Sequence, residues 1–207
     1  MNEKTGVPQF TELEFSEEGH VYRLNGEIIP SVTTVMKPVS SSVYGGIDVA
    51  VLNMAASRGT AVHEAIENYV LYGIEDIVHE YAGYLEAFTA FWAKYKPELI
   101  AVEVCVYHKY RKYAGTVDLL LRIAGETWLI DNKTSSKVEK MLTRLQLEAY
   151  EKALASHGIK VDRKGILHLQ RTGRYKLVEH EMNDNTAWNT FLAAHAVHDY
   201  IKNGGKL

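Results

Sequence analysis

The sequence predicts an α/β fold in which a mixed central sheet is flanked by helices. Two observations lead to this prediction. Residues 99 to 133 contain runs that alternate apolar and polar side chains, as β-strands do. Longer stretches on both sides repeat their apolar residues at helical spacing. The predicted central order is α-β-β-β-α-β, with a hairpin before it and extra helices at both ends.

The first predicted element is a β-hairpin. In "HVYRLNGEIIPSV", two β-prone runs surround Asn25-Gly26, a pair typical of type I′ turns. Residues 37–46, "KPVSSSVYGG", are rich in Ser, Gly and Pro and predict a mobile loop.

Two helical regions come next. Residues 47–72 predict one or two helices in which Val62, Ile66 and Tyr69 share a face. A second helix covers residues 79–96 and is stopped by Pro97.

Three strands form the predicted centre: "LIAVEVCVYH", "GTVDLLLRI" and "TWLIDNK", with Gly125 in the turn between the last two. A helix over 138–158 follows, with Gly158 at its C-terminal end and Met141, Leu145 and Tyr150 at helical spacing. Two strands, "RKGILHLQ" and "YKLVEHEM", and a last helix before Gly204 complete the prediction.

Composition limits the class of protein. A chain of 207 residues with 46% hydrophobic and 24% charged residues is typical of one globular domain. The net charge of −3 requires any nucleic-acid surface to be a local patch. The single cysteine, Cys105, excludes a disulfide framework or an iron–sulfur cluster held by this chain alone, and we expect it to be a small buried residue.

No apolar run approaches the roughly 18 residues of a membrane span. The first ten residues, "MNEKTGVPQF", lack a signal-peptide core. We therefore expect no membrane partner and a cytoplasmic location, in a bacterial or phage-infected cell.

Two acids and a base stand on neighbouring strands. Asp118 lies late in the second core strand, and Asp131 lies near the end of the third, thirteen residues on across a tight turn. Adjacent antiparallel strands would bring the two carboxylates together, where a divalent cation best relieves their repulsion. Lys133 points the same way as Asp131 because side chains alternate along a strand, so it could stabilise a developing oxyanion.

The pattern resembles the PD-(D/E)XK nuclease superfamily, whose core has the same αβββαβ order. It is most similar to the RecB-like exonuclease branch. The matching elements are "RGTxxH" (Arg58-Gly59-Thr60, His63), "GxxD" (Gly115, Asp118), "DxKTS" (Asp131-Asn132-Lys133-Thr134-Ser135) and "QxxxY" (Gln146, Tyr150). "IPSVTTV" is also similar to a stretch of the mitochondrial genome-maintenance exonucleases and their phage relatives. Val117 replaces the proline of the superfamily name, which the RecB-like branch commonly lacks.

The resemblance implies Mg²⁺ or Mn²⁺ held by His63, Asp118, Asp131 and the backbone carbonyl of Asn132. It also implies that Gln146 and Tyr150 face the site, where they touch the scissile strand or orient Lys133. Arg58, Thr134 and Ser135 would contact the nucleic acid. We expect a single nuclease domain over 1–207, with a hairpin and loop in 1–46, the catalytic core in 47–170, and a strand and helix in 171–207.

Plainer interpretations exist for each residue. Asp118 and Asp131 could be ordinary strand-end acids, His63 a core or surface histidine, and Gln146 and Tyr150 a solvated residue and a core residue. Glu67, one helical turn after His63, is a reserve acid. Glu103 is either an acid that contacts the metal-ligating residues or an ordinary surface acid.

The segment "YHKYRKY", residues 107–113, interleaves basic and aromatic side chains at a predicted turn between strands. Lys109, Arg111 and Lys112 would bind phosphates, and Tyr110 or Tyr113 would stack on bases. A solubilising hairpin tip is the alternative.

The sequence therefore predicts a metal-dependent DNA exonuclease that acts on single-stranded DNA or on DNA ends in replication, recombination or repair. The alternative is a catalytically silent nucleic-acid-binding accessory protein on the same fold.

Overall fold

The computed structural model describes residue 7 and residues 10–205. Positions 1–6, 8 and 9, which contain most of the segment examined for a signal peptide, lie outside the described residues. The helices and strands are β1 (Leu13–Ser16), β2 (Val21–Leu24), β3 (Glu27–Ile29), α1 (Val32–Val35), α2 (Lys37–Tyr44), α3 (Val49–Tyr72), a 3-10 turn (His79–Tyr81), α4 (Ala82–Tyr95), β4 (Glu98–Tyr107), β5 (Ala114–Ile123), β6 (Glu126–Lys133), α5 (Lys140–Ser156), β7 (Arg163–Leu169), β8 (Tyr175–His180) and α6 (Asn185–Lys202).

The N-terminal hairpin is present as predicted. β2 and β3 pair antiparallel on either side of Asn25 and Gly26, whose φ angles are 51° and 81°. Positive φ at both central residues is the signature of a type I′ turn, whose twist matches that of the flanking strands. β1 pairs with the other edge of β2 and completes a small antiparallel sheet of order β1-β2-β3.

The mobile loop predicted for residues 37–46 is wrong, because most of this segment forms α2. Pro38 stands in its first turn, where a missing backbone N–H costs nothing. Val39 and Val43, one turn apart, pack partly buried against the same core cluster as α5 and α6. Tertiary packing therefore overrides the low helix propensity of the serines.

The long helix α3 begins at the N-cap Asp48, whose carboxylate accepts the backbone N–H of Ala50, and ends before Gly73 at φ 70°. Its predicted apolar face is confirmed, because Val62 and Ile66 are buried and Tyr69 packs beside them.

The central sheet has the order β4-β5-β6-β7-β8. Only β6 and β7 run parallel, joined by α5, and the other neighbours are antiparallel. The sheet is therefore mixed, as predicted. Ala124 and Gly125, at φ 51° and 87°, form the tight turn that makes β5 and β6 adjacent.

Helix α5 covers one face of this sheet and ends as predicted at Gly158, which adopts φ 78°. The N–H of Ile159 reaches the carbonyl of Leu154, a bond typical of a Schellman cap. Leu145 is buried, but Met141, on the same predicted stripe, is 47% exposed because it lies on the outer side of the first turn.

Two apolar cores lie on opposite faces of the sheet. The first contains residues of α5 and α6, including Leu145 and Phe191. The second contains residues of α3 and α4, including Ile66 and Phe88. The strands are buried between them, which fixes the positions of the polar residues that they carry. No described helix combines the length and the apolar character needed to cross a membrane.

Candidate metal centre and active site

Asp118 and Asp131 lie on adjacent strands, as predicted. The β5–β6 register pairs Leu119 with Ile130, which places the two acids at the next step of the ladder. Asp118 Oδ2 accepts the backbone N–H of Asn132 at 2.7 Å. Asp118 is the fifth of the ten residues of β5, so its predicted position late in the strand is wrong and the site lies over the middle of β5.

Helix α3 brings His63 to these acids. Its Nδ1 lies 2.9 Å from Glu103 Oε1 and its Nε2 lies 3.6 Å from Asp118 Oδ2. One potential ligand atom from each of the three residues falls within 4.8 Å of the other two. The structure therefore places His63 beside Asp118, as the motif implied, and adds Glu103.

Glu103 is the site residue that the sequence reasoning underrated. The β4–β5 register pairs Val104 with Val117 and Val102 with Leu119, which sets Glu103 across from Asp118. Its φ of 45° is unusual for a residue with a side chain, and such backbone strain is found most often at functional sites. The register counted back from the turn between these strands locates Glu103 once the length of that turn is known.

Lys133 ends β6 with its ammonium group between two partners. Nζ lies 2.6 Å from Asp131 Oδ2 and donates a hydrogen bond of 3.1 Å to Gln146 Oε1. Asp131 is only 1% exposed, so its carboxylate is an anchor of fixed position. Gln146 therefore contacts Lys133, as one of the two roles implied for it requires.

Tyr150 follows Gln146 by one helical turn and is buried. The Gln146 amide Nε2 donates to the Tyr150 hydroxyl at 3.4 Å. The ring packs on Gly115 of β5, where a Cβ would lie 2.6 Å from Tyr150 Cε1. The "GxxD" glycine is thus needed for the close approach of the "QxxxY" tyrosine.

Burial and neighbouring charges shift the pKa values in this site. Burial alone would lower the pKa of His63, but the Asp118 and Glu103 carboxylates raise it to about 9. Burial raises the pKa of Asp118, and it raises that of Asp131 to about 6 against the opposing charge of Lys133. Burial would also lower the pKa of Lys133, but Asp131 and Asp118 together raise it. The carboxylates of Glu103, Asp118 and Asp131 thus lie close to two cationic side chains, His63 and Lys133.

These residues fit a divalent metal ion. Carboxylate oxygens with one imidazole suit Mg²⁺ or Mn²⁺. Asp131 does not belong to the group of three residues whose ligand atoms lie within 4.8 Å of one another, but its Oδ1 is buried and has no hydrogen-bond partner among the described residues. A pKa of about 9 makes His63 cationic at neutral pH when no metal ion is bound, and a bound cation would replace that positive charge.

The residues predicted to touch nucleic acid near Lys133 are partly engaged within the protein. Arg58 Nε donates to Thr134 Oγ1 at 3.3 Å, and its guanidinium lies 5.8 Å from the centre of the Tyr84 ring. The Ser135 hydroxyl donates to the carbonyl of Lys137 at 2.8 Å. Arg58 therefore ties α3 to the loop after β6.

The segment 107–113 forms the predicted turn between β4 and β5. Tyr110 is 83% exposed, and Lys109, Arg111 and Lys112 are exposed as well. Tyr113 is fully buried and its hydroxyl donates to the Ala149 carbonyl at 2.8 Å, so the prediction that it stacks on a base is wrong.

This turn lies away from Lys133. The backbone N–H of Lys109 donates to Ser156 Oγ at the C-terminal end of α5. Ser156 is ten residues, or roughly 15 Å of helix, beyond Gln146. Of the described residues that line the cavities at the site, none belongs to the turn.

Two cavities meet at the site. The acidic cavity, of about 840 Å³, is lined by Glu17, Glu64 and Glu67 together with His63, Glu103 and Asp118. Glu67 therefore lies near the group of His63, Glu103 and Asp118, called the metal cluster below, without belonging to it. Burial raises the pKa of Glu67, and the negative charge of Glu64 raises it further. Cys105, predicted to be a small buried residue, is half-buried and also lines this cavity.

The second space, called the α2 cavity below, has a volume of about 290 Å³. Lys133 and Gln146 line it together with residues of α2.

A family model for the PD-(D/E)XK nuclease superfamily matches residues 74–199, more than half of the chain. The chain belongs to the PD-(D/E)XK nuclease superfamily. The match contains Asp118, Asp131 and Lys133 and confirms the family that the sequence indicated, together with its fold. Nucleases of this superfamily use divalent metal ions, in agreement with the cluster of His63, Glu103 and Asp118.

The nuclease is similar to an alkaline exonuclease from Laribacter hongkongensis, with 16% identity and a TM-score of 0.37 over 72% of this chain and 91% of that one. A structure of the same exonuclease in complex with dAMP gives 15% identity and a TM-score of 0.37 over 85% and 92% of the two chains. No curated protein matched the sequence.

Proposed function

We propose that this nuclease is a metal-dependent DNA exonuclease of the RecB-like type, using Mg²⁺ or Mn²⁺. The observation that carries the proposal is the position of the Asp131 carboxylate. It holds the Lys133 ammonium group on one side, and the cluster of His63, Glu103 and Asp118 lies on the neighbouring strands and helix. A phosphate placed there would meet a cation and a metal ion together.

The proposed ligands are His63, Glu103, Asp118 and Asp131, with the backbone carbonyl of Asn132. A metal ion held by them would polarise the scissile phosphate and lower the pKa of a water molecule. The protein supplies a partly buried, preformed set of donors, because the sheet fixes three of the four side chains and the ion pairs hold His63 in place.

Lys133 is proposed to stabilise the negative charge that develops on the phosphate during attack. Asp131 and Gln146 fix its ammonium group from two directions, so little reorganisation is needed at the moment of reaction. Tyr150 acts as a positioning residue through Gln146. These contacts connect the four motifs of the RecB-like branch at one place, which supports that assignment within the superfamily.

The proposed substrate is DNA, as a single strand or at a free end, in replication, recombination or repair. Lys109, Tyr110, Arg111 and Lys112 would contact a long strand beyond the site, while Arg58, Thr134 and Ser135 would form the rim near Lys133. We also propose that the whole chain acts as one nuclease domain.

The rival is a catalytically silent nucleic-acid-binding protein. A binding protein needs no buried carboxylate with an unpartnered oxygen beside a fixed lysine, which is the arrangement of Asp131 and Lys133. The retained geometry favours the enzyme.

Digestion of labelled oligonucleotides tests the proposal. Linear single- and double-stranded DNA, labelled at either end, and a circular single strand are incubated with and without Mn²⁺. We expect stepwise shortening of linear DNA with Mn²⁺, and no cleavage of the circle or in EDTA. Binding of DNA without cleavage under every metal condition would favour the silent protein.

A further inference from the structure

The α2 cavity is built from parts that the metal cluster does not use. Met36, Ser40 and Tyr44 line it from α2 and the residue before that helix, and Leu142 and Thr143 line it from α5. Lys133 also lines the cavity and lies 2.6 Å from the Asp131 carboxylate. A phosphate held by Lys133 would therefore lie beside the cavity.

The lining suits a nucleobase and its sugar. Tyr44, Met36 and Leu142 offer flat or apolar surface, and Ser40, Thr33 and Thr143 offer hydroxyl groups near it. Mostly apolar pockets with a few polar groups are typical of small-ligand sites, and a volume of about 290 Å³ is at the low end of their range. The cavity is therefore of a size for one small ligand.

Charge distinguishes this cavity from its neighbour. The acidic cavity carries the carboxylates of Glu17, Glu64 and Glu67 beyond the metal cluster, which would repel further phosphates. The α2 cavity has Glu139 as its one carboxylate among the described residues, and Lys137 pairs with that carboxylate at 2.8 Å. An uncharged nucleoside attached to the scissile phosphate is thus better accommodated beneath α2.

We propose that the α2 cavity is the binding site for the terminal nucleoside of the DNA strand, with its base against the ring of Tyr44. The inference rests on the proposed function and adds a contact with the substrate, because the enzyme would bind the terminal nucleoside that it removes. Tyr44 lines the cavity and is 37% exposed, so its ring is accessible to a base.

A double-mutant cycle, in which one change is made in the enzyme and the other in the substrate, tests the proposal. Wild type and Tyr44→Ala are compared on single strands that end in a normal or an abasic nucleotide, at each end in turn. We expect Tyr44→Ala to lower kcat/KM on the normal strand by roughly 5- to 100-fold, the range for a lost base–aromatic stack. An abasic end should lower the kcat/KM of wild type by a similar factor. It should lower the kcat/KM of Tyr44→Ala little further, because the stacking contact is already lost in that variant.

The controls separate stacking from other effects. Tyr44→Phe keeps the ring and should retain nearly full kcat/KM, and Tyr200→Ala, which removes a tyrosine that is 54% exposed on α6, should change nothing. Ser40→Trp should fill the cavity and reproduce the loss. If Tyr44→Ala and the abasic end reduce kcat/KM independently, or if neither reduces it, the base lies elsewhere and the proposal is overturned.

A second readout does not depend on activity. A strand ending in 2-aminopurine is bound in EDTA, where stacking on Tyr44 should quench its fluorescence in wild type and not in Tyr44→Ala. An enzyme that cleaves DNA with no such quenching would overturn this inference alone. Quenching without any metal-dependent cleavage would support the cavity assignment while overturning the proposed exonuclease activity.

Discussion

The Lys133 ammonium group lies 2.6 Å from the Asp131 carboxylate, two residues away on the same strand. Both side chains lie on one side of β6. Because Asp131 is only 1% exposed, its buried carboxylate fixes the position of the Lys133 ammonium group.

Replacement of Lys133 tests its proposed role. Lys133→Ala should remain folded and bind metal, but lose at least about a hundredfold in cleavage rate, the usual scale for a lost charge-stabilising group. Lys137→Ala is the matched control, because that lysine is exposed and pairs with Glu139. Single-turnover cleavage and circular dichroism provide the measurements. Near-normal cleavage by folded Lys133→Ala would remove the mechanism proposed.

The ligand set predicts the effect of metal on stability. Mn²⁺ in large excess should raise the Tm of wild type by roughly 5–10 °C, because a ligand at 100 times its Kd adds about 2.7 kcal/mol to the folded state. Glu103→Gln and His63→Ala should each reduce metal affinity at least about tenfold, with Glu67→Gln unchanged. Thermal melts over a Mn²⁺ titration measure these affinities. If Glu67→Gln weakened binding and His63→Ala did not, Glu67 would replace His63 as a ligand.

The contact of Gly115 with Tyr150 predicts a stability effect. Gly115→Ala should destabilise the fold by about 1–3 kcal/mol, because its Cβ would overlap the Tyr150 ring, and it should slow cleavage by moving Gln146. Gly59→Ala is the control, since a Cβ there meets no atom within 4 Å. Tyr150→Leu should relieve most of the cost in the double variant. Additive losses in urea unfolding would contradict the contact.

The turn between β4 and β5 predicts a dependence on salt and strand length. Replacing Lys109, Arg111 and Lys112 by Ala should flatten the log–log salt slope of single-strand binding by up to about two units, at roughly 0.7 per phosphate contact. Tyr110→Ala should cost about 1–3 kcal/mol without changing that slope. The binding of strands too short to reach the turn should not be changed by any of these substitutions. Binding to Asp131→Asn avoids cleavage, and an unchanged slope for long strands would place the strand elsewhere.

Much of the fold could be predicted from local sequence signals. The strand periodicity, the turns at Asn25-Gly26 and Gly125, and the Gly158 cap all depend on nearby residues, and the structure has each of them. The same holds for Asp118, Asp131 and Lys133, because a tight turn between two strands leaves little freedom in their pairing.

The parts that were missed depend on distant contacts. α2 forms because Val39 and Val43 pack on a core assembled from α5 and α6. Glu103 joins the site through the β4–β5 register, which requires the length of the intervening turn. Tyr113 is held inward by the Ala149 carbonyl on α5, a contact that no pattern within residues 107–113 contains.

The proposed metal-dependent cleavage is tested most directly by comparing wild type with Asp118→Asn on one end-labelled single strand in Mn²⁺. The amide keeps the shape of the side chain and can still accept the N–H of Asn132, but it removes the charge that helps to hold the metal. We predict that wild type shortens the strand from an end and that folded Asp118→Asn is at least about a hundredfold slower. Equal cleavage by the two proteins, or none by wild type, would contradict the account.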